Sequence, residues 1–524
     1  MKLTKFSWVV LIAAVVGVIV YFTTRKPTQR VGTPITSTEP AIDGDPGLLG
    51  RPLRVGVVTW PGYCGGLVAN GGFKPNKNTI YWKNYKLLVE FLLMEDVDIR
   101  AKAFAKGGTD GVDIVWSTVD FWANELPGFL KGGVKAKAIM QVDWSRGGDA
   151  IVADKSITRI EDLKGKRISL ALFTPSHWLL EYSLENSSLD EADQTQIIKS
   201  LVGKNASPDA RVDFVANKVD AAVVWEPDVS EALQKRPGSH ILVSTKTAAN
   251  LIADIMVARE EFIDKHGDVV KAFIQGWLDG TVEANRNPDL AVKALMENEP
   301  LYKDLGDKAT REQLSTVKWA DLSDNTKMFG LDGSEPLFDR IYKEAGAAWV
   351  KRGYISNGVS PDQAKDARFL KQIHATSPVA AVTEEFKFPA TIPEDKSKEQ
   401  AIMTRPVKVT FRSGKWDLDE NAKQLLDQVA LIAQTYSNAY IRLEGNTDNV
   451  GNPKSNQVLS EKRANSVLEY LVQQYKFTAS RFMAIGNGDK NPVVSNDTPE
   501  GKKANNSVDG RTKNRRTDVK VIPR

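Results

Sequence analysis

Short apolar runs rich in β-branched residues recur along the first part of this chain, and each gives way to a stretch with helical spacing. LRVGVVTW (residues 53–60), VDIVWST (112–118), RISLALF (167–173) and VDAAVVW (219–225) are too uniformly apolar for strands with one wet face. Strands buried on both faces need helices on both sides, so the alternation predicts an α/β fold with mostly parallel sheets. YWKNYKLLVEFLL spaces Tyr81, Tyr85, Leu88 and Leu92 as a helix would. DVVKAFIQGWLDGTVEA does the same with Val270, Phe273, Ile274, Trp277 and Leu278. The block covers residues 51–375, and its ~325 residues exceed what one core holds, which predicts two lobes.

Residues 376–400, TSPVAAVTEEFKFPATIPEDKSKEQ, show no periodicity and read as a linker over 376–404. Beyond them, residues 405–524 read as strand, helix, strand, helix, strand. VKVTFRS opens that block, and the helix DENAKQLLDQVALIAQTY lines up Ala422, Leu425, Leu426, Val429, Ile432 and Ala433. YIRLEGNTD, a helix over 456–475 and DVKVI follow. At the other end, Lys2 and Lys5 precede an uncharged apolar run, FSWVVLIAAVVGVIVYF (6–22), at the short end of membrane-spanning length. No small-residue cleavage site follows, so residues 1–26 read as an uncleaved signal anchor, an N-terminal transmembrane helix. Arg25, Lys26 and Arg30 balance the charges before it and leave its orientation open. Residues 27–50 read as a flexible tether.

Composition removes several function classes. With 70 basic and 66 acidic residues the chain is too balanced for a nucleic-acid binder. Its basic carboxyl-terminal tail lacks interleaved aromatic residues that bases could stack on. Cys64 is the single cysteine, which excludes an intramolecular disulfide. His177, His240, His266 and His374 do not stand at metal-ligand spacing, so neither a metal nor a cofactor is expected.

In open α/β sheets, ligands bind beyond the carboxyl ends of strands. There the large block carries Thr59, Trp60 and Tyr63, then Ser117 and Thr118, then Ser176 and His177 at a helix start, then Trp225, Glu226 and Asp228. Free N–H groups and a serine at a helix start favour an anion. Each tryptophan reads equally as cleft wall or as core. The stretches GVDIVWST, SRGGDAIVADKSITRIEDLKGKRISLALFTPSHWLLEYSL and NKVDAAVVWEPDVSEAL resemble the periplasmic solute-binding proteins of ABC importers. Within these they are similar to the group handling aliphatic sulfonates, taurine, nitrate or thiamine-pyrimidine precursors. The resemblance covers roughly 51–350. It implies a two-lobed periplasmic-binding-protein fold, with Gly147, Gly148 and Asp149 near the crossing between lobes. It implies that Trp60, Ser117, Ser176, His177 and Trp225 line the cleft, with Asp149 and Glu226 beside them; Thr118, at the same strand end as Ser117, joins them as a candidate solute-binding residue. The expected solute is anionic or zwitterionic. Asp149 and Glu226 weigh against a purely anionic one, and Arg146 can offset them.

In the small block, Asn456 and Arg463 stand seven residues apart, within about 20° of one helix face. Asp448 sits in the loop before that helix. An acid and an arginine held close together can grip a zwitterion, or can form a salt bridge that orders the loop. EGNTDNVGNPKSNQVLSEKRANSVLEYL with DGRTKNRRTDVKVI resembles the OmpA-type peptidoglycan-binding domain, a small α+β fold. The resemblance implies that Asp448 and Arg463 hold the diaminopimelate of the stem peptide, with Thr447, Asn456 and Leu459 shaping the pocket. It gives Asn514, Arg515 and Arg516 a supporting role. Asn446 stands where a histidine is common in that family, and residues 501–508 look like extra length.

The expectation is a non-enzymatic, single-pass inner-membrane protein with both globular domains in the periplasm. It would capture a small solute for transport or sensing, with an ABC permease as a candidate partner, while binding peptidoglycan. The leading alternative is a wall-tethering scaffold whose clamp contacts a protein. A third is a thiamine-pyrimidine-forming enzyme, for which the sequence offers no convincing reactive residues.

Overall fold

The computed structural model describes residues 45–377, 386–409, 411, 415–496 and 498–524. The apolar run at 6–22 lies outside them, as does the tether up to residue 44. Among the described residues no helix is long and apolar enough to cross a membrane.

Among the described residues fifteen strands form three sheets. The first sheet takes β1 (Leu53–Val57), β2 (Val89–Leu93), β3 (Ile114–Thr118), β4 (Ala136–Ser145), β10 (Ala253–Arg259) and β11 (Val317–Trp319), in the order β11-β4-β10-β3-β1-β2. The second takes β5 (Asp149–Asp154), β6 (Ile168–Ala171), β7 (Leu201–Lys204), β8 (Ala221–Trp225) and β9 (Ser239–Ser244), in the order β7-β6-β8-β5-β9. Each sheet is the floor of one lobe. The sequence predicted mostly parallel sheets, and each lobe does hold a parallel core, β2-β1-β3 or β7-β6-β8. The other pairings, made by β4, β10 and β11 in one lobe and by β5 and β9 in the other, are antiparallel. Their direction follows from the crossing: the chain leaves the first sheet along β4, enters the second along β5, and returns from β9 to β10.

Residues 145–148 and 245–252 form that crossing. Ser145 Oγ and Thr245 Oγ1 are 2.7 Å apart, and Thr245 Oγ1 accepts from Gly147 N at 2.9 Å. Arg146 N and Gly148 N both donate to Thr316 O, which ties the segment before β11 to the same hinge.

The stretch 81–93 departs from its helical expectation. The helix Ile80–Tyr85 stops at Lys86, which adopts a left-handed φ of 53°, and Val89–Leu93 is strand β2. The run from Leu87 to Leu93 is apolar enough to satisfy either period, and pairing with β1 along its whole length decides it. The core of the first lobe centres on Trp277, in the helix Gly267–Arg286, against Tyr63, Phe91 and Phe273. Gly66 admits the indole: a Cβ there would lie 2.3 Å from the ring.

The third sheet, in the order β12-β15-β13-β14, takes β12 (Met403–Val407), β13 (Ala439–Asn446), β14 (Phe482–Gly488) and β15 (Thr517–Pro523). The helices Glu420–Thr435 and Pro453–Tyr475 pack on it. β14 escaped the sequence reading because FMAIGNG is short and carries two glycines. Those glycines have a use: a Cβ on Gly486 would lie 2.4 Å from Glu461 N, so the helix Pro453–Tyr475 rides close over the strands. Residues 386–402, read as linker, pack against this sheet. Phe388 meets the Tyr440 ring at 5.3 Å, and the carbonyls of Lys396, Ser397 and Glu399 accept from Arg442.

This carboxyl-terminal domain is docked on the clamp. Asn250 N donates to Thr435 O at 3.1 Å, Asn250 Nδ2 to Gln434 O at 3.0 Å, and Asn438 Nδ2 to Lys246 O at 3.0 Å. The Tyr436 and Tyr182 rings pack at 6.0 Å, and Arg340 pairs with Gln434.

Candidate functional sites

The first site is the cleft between the lobes. On antiparallel strands, directly paired residues point to the same face. Asp254 on β10 is paired with Asp143 on β4 on one side and with Thr118 on β3 on the other. Asp143, Asp254 and Thr118 therefore form one row across three strands. Aromatic groups cover it: Trp60 Nε1 donates to Asp143 Oδ2 at 3.0 Å, and Tyr63 Oη to Asp254 Oδ1 at 2.8 Å. Asp120 lies two residues beyond Thr118, in the first turn of the helix Val119–Lys131. The second lobe brings Asp149 and, as its strand partner, Trp225. Trp116 and Trp225 meet edge to face across the cleft at 6.4 Å. Trp60 lies directly on the hinge, where a Cβ on Gly148 would be 2.3 Å from its ring.

Burial dominates the electrostatics here. It pushes the Asp143 carboxyl up to about 8, against the Trp60 hydrogen bond, and Asp149 adds to the rise. It lifts Asp120 to about 8, and Asp149 and Glu226 to about 7. Burial also carries Asp254 well above the usual carboxylate range, reinforced first by Asp143 and further by Asp149 and Asp120. None of these five acids forms an ion pair with a described residue. Arg146, expected to offset Asp149 and Glu226, turns elsewhere. Its guanidinium lies over the Trp144 and Phe386 rings, Nη1 donates to Asn250 Oδ1 at 2.9 Å, and its charge only partly relieves Asp143.

The expected cleft residues divide. Trp60, Thr118, Asp149 and Trp225 are brought together around the acid row. Glu226 stands beside them: its N–H donates to Gly148 O at 2.8 Å, and its carboxylate accepts from Ser230 N and Oγ. Ser117 is paired with Ile255 rather than Asp254 and donates to Glu125 Oε2, beside the buried Arg100. His177 packs among Phe173, Trp349 and Tyr354 and accepts from Phe173 N at 3.2 Å through Nδ1. Burial, with Arg352 nearby, drops it to about 3, so its ring is neutral. Ser176 Oγ is buried without a hydrogen-bond partner. Asp143, Asp254 and Asp120 were not singled out by the sequence. Their one signal is an acid inside otherwise apolar strand text, as in MQVDWS and ADIMVA. Between the lobes, a cavity of about 450 Å³ is lined by Glu226, Ser230, Gln234, Asp304, Glu312 and Thr316, among others.

The second site lies on the carboxyl-terminal domain. Asp448 follows β13. Its Oδ1 accepts from Val450 N at 3.1 Å, and its Oδ2 pairs with Arg515 Nη1 at 2.5 Å. Asn456 Nδ2 staples the loop to the helix by donating to the carbonyls of Asp448 and Val450 at 3.3 and 3.2 Å. Arg463 is buried to 7% exposure, with Nε donating to Lys415 O at 3.1 Å and the guanidinium 4.8 Å from the Phe411 ring. Its two Nη nitrogens make no hydrogen bond to a described residue. Burial lowers its pKa, Asp448 pulls it back up, and Arg515 lowers it again. The loop-ordering salt bridge between Asp448 and Arg463 does not form among the described residues; Arg515 takes the acid instead. Thr447 is buried with its Oγ1 unpartnered, and Leu459 is half-buried on the helix. Asn514 does support the fold, accepting from Val493 N at 2.7 Å, and Arg516 forks onto Asp518.

Comparisons with known proteins match these two halves separately. A family model described as "NMT1/THI5 like" matches residues 142–291, and one for the OmpA family matches residues 410–506. The taurine-binding periplasmic protein of Escherichia coli is 31% identical over 149 residues, 28% of this chain and 43% of that protein. Outer membrane porin F of Pseudomonas aeruginosa is 37% identical over 101 residues, 19% of this chain and 29% of that protein. The chain thus spans less than half the length of either relative. Among solved structures, the periplasmic nitrate-binding protein NrtA from Synechocystis has a TM-score of 0.48 at 11% identity, covering 63% of this chain and 89% of that one. The chain carries an NMT1/THI5-like segment followed by an OmpA-family domain.

Proposed function

We propose that this is a cell-envelope binding protein that closes a two-lobed clamp on a small solute and holds peptidoglycan through its carboxyl-terminal domain. In this reading both domains are periplasmic, and the apolar run at 6–22 anchors the chain in the inner membrane. The anchor rests on that run's hydropathy, and the compartment on the kind of domains that follow it. Capture of the solute serves transport or sensing, and no catalytic step is assigned to either site.

The carrying observation is the arrangement around Asp448. Arg463 is fixed by its Nε and by Phe411, which leaves its outward fork for a carboxylate. Asp448 stands in the facing loop to take an ammonium. A diamino acid with both groups at one end fits such an acid–base pair. Arg515, 47% exposed on its side chain, closes the other side of Asp448 and is displaced or shared when an ammonium arrives.

Sedimentation with purified sacculi tests the wall-binding half. The parent chain pellets with the sacculi. Arg463→Ala and Asp448→Ala lower the bound fraction by more than about tenfold, as expected for truncating one partner of a desolvated charge pair. Variants that pellet as well as the parent refute the assignment.

A further inference from the structure

The clamp's own chemistry speaks to the charge of its solute, an inference that rests on the solute-clamp reading above. The sequence pointed to an anion or a zwitterion. The folded cleft gathers Asp143, Asp254 and Asp120 from the first lobe and Asp149 and Glu226 from the second, all buried. Hydrogen bonds satisfy only part of this set. Asp143 Oδ1 is fully buried with no hydrogen-bond partner, while its Oδ2 is taken by Trp60. Neither oxygen of Asp120 receives a hydrogen bond of good geometry, although Thr118 lies close enough to offset part of the rise that burial gives its pKa. Buried carboxyl oxygens without partners are costly, and a donor-bearing cation removes that cost by taking the place of the protons and pairing with the carboxylates.

The surroundings match such a guest. Trp60, Tyr63, Trp116 and Trp225 present aromatic surface around the row, and the faces of such rings attract cations. The adjoining cavity carries Glu226, Asp304 and Glu312 and no lysine or arginine in its lining. Among the described residues, no group of acids, histidines or cysteines is arranged to hold a metal ion, which leaves an organic cation. The unmet need is for hydrogen-bond donors, so a protonated amine, amidine or guanidine fits and a quaternary ammonium does not.

We infer that the cleft between the lobes binds a small organic cation with N–H donors, held by Asp143, Asp254 and Asp149 and walled by Trp60 and Trp225. The inner carboxylates take the charged head, and the cavity at Glu226 and Glu312 takes the rest of the molecule.

Isothermal titration of the purified chain with putrescine, agmatine, guanidinium and benzamidine, beside taurine, nitrate and choline, tests this. At least one of the four N–H cations gives saturable heat, while the zwitterion taurine, the anion nitrate and choline give none. Asp143→Asn keeps the shape and the Trp60 contact but weakens that cation about thirtyfold or more, in the range for neutralising one partner of a buried charge pair. Asp254→Asn is the second variant, and thermal melting without ligand shows that both fold. Binding of taurine or nitrate with no response to the four N–H cations overturns the cation assignment and leaves the solute clamp standing. Silence from all seven compounds overturns both. Amine binding undiminished in both folded variants overturns the site.

Discussion

Replacing Asp143 by asparagine probes the acid row through its pH signature. In the folded chain, burial raises Asp143 and Asp120 to about 8 and Asp149 and Glu226 to about 7, against ordinary values of 3.8 for aspartate and 4.5 for glutamate. In the window between those values the folded state holds protons that the unfolded state has released. The sign follows: this contribution is fully present below the ordinary carboxyl range and is lost as pH rises through 7 to 8. One such proton tilts stability by ~1.4 kcal/mol per pH unit, so Asp143 alone accounts for a fall on the order of 3 kcal/mol from about pH 5 to about pH 7. Asparagine still offers Trp60 Nε1 an acceptor and carries no titrating proton. The variant's decline is therefore shallower than the parent's by that amount. Asp213 and Glu444, whose carboxyls are held low by lysines nearby, tilt the opposite way, but equally in both proteins, and cancel in the difference. Urea unfolding read by tryptophan fluorescence reports on the clamp, because only Trp8 and Trp416 lie outside it. Equal pH slopes in parent and variant, or a steeper slope in the variant, refute the reasoning.

Gly148→Ala drives a methyl into the Trp60 ring from 2.3 Å, so the lobes separate and the clamp loses about 1–3 kcal/mol; small-angle scattering reads the larger radius of gyration and melting reads the loss. Tyr436→Ala removes a fully buried ring from the junction with Tyr182 and costs about 3 kcal/mol in the carboxyl-terminal transition, with faster proteolysis at the junction as the companion readout. Arg515→Ala breaks a half-exposed pair and changes the melting midpoint little, since such pairs contribute at most ~1 kcal/mol, yet it alters sacculus binding less than Arg463→Ala does. Cys64 is buried and its thiol is pushed well above the usual range, so a thiol reagent that labels the unfolded chain at once leaves the native chain unmodified over the same interval.

The cleft was legible where function sits at the ends of strands. Trp60, Thr118, Trp225 and Glu226 stand at the ends of apolar runs, and a break in such a run is a local signal; Asp149 opens its run, and only the family resemblance pointed to it. Asp143 and Asp254 lie inside the runs, and what joins them is the register of two strands more than a hundred residues apart, which no local pattern encodes. His177 illustrates the opposite case. Its place at a helix start pointed toward a ligand, while the structure packs its ring against Trp349, of the distant helix Leu337–Lys351, and Tyr354 just beyond that helix. At the candidate site on the carboxyl-terminal domain, the seven-residue interval from Asn456 to Arg463 was readable because one helix carries both. Arg515 reaches Asp448 from 67 positions further along the chain, and its motif position suggested only a structural role.

The carboxyl-terminal domain rests on the very segment about which the lobes would swing. Lys246 and Asn250 belong to the returning crossover, and they are held by Asn438, Gln434 and Thr435, while Arg340 and Tyr182 anchor the same domain to one lobe each. Spreading the jaws thus strains the latch between them. By reciprocity, whatever guest favours one jaw angle shifts the latch by the same factor, and a latch loosened by Tyr436→Ala changes guest affinity without touching the guest. Under the proposed function, an anchored cell wall would be a weight resting on the hinge pin.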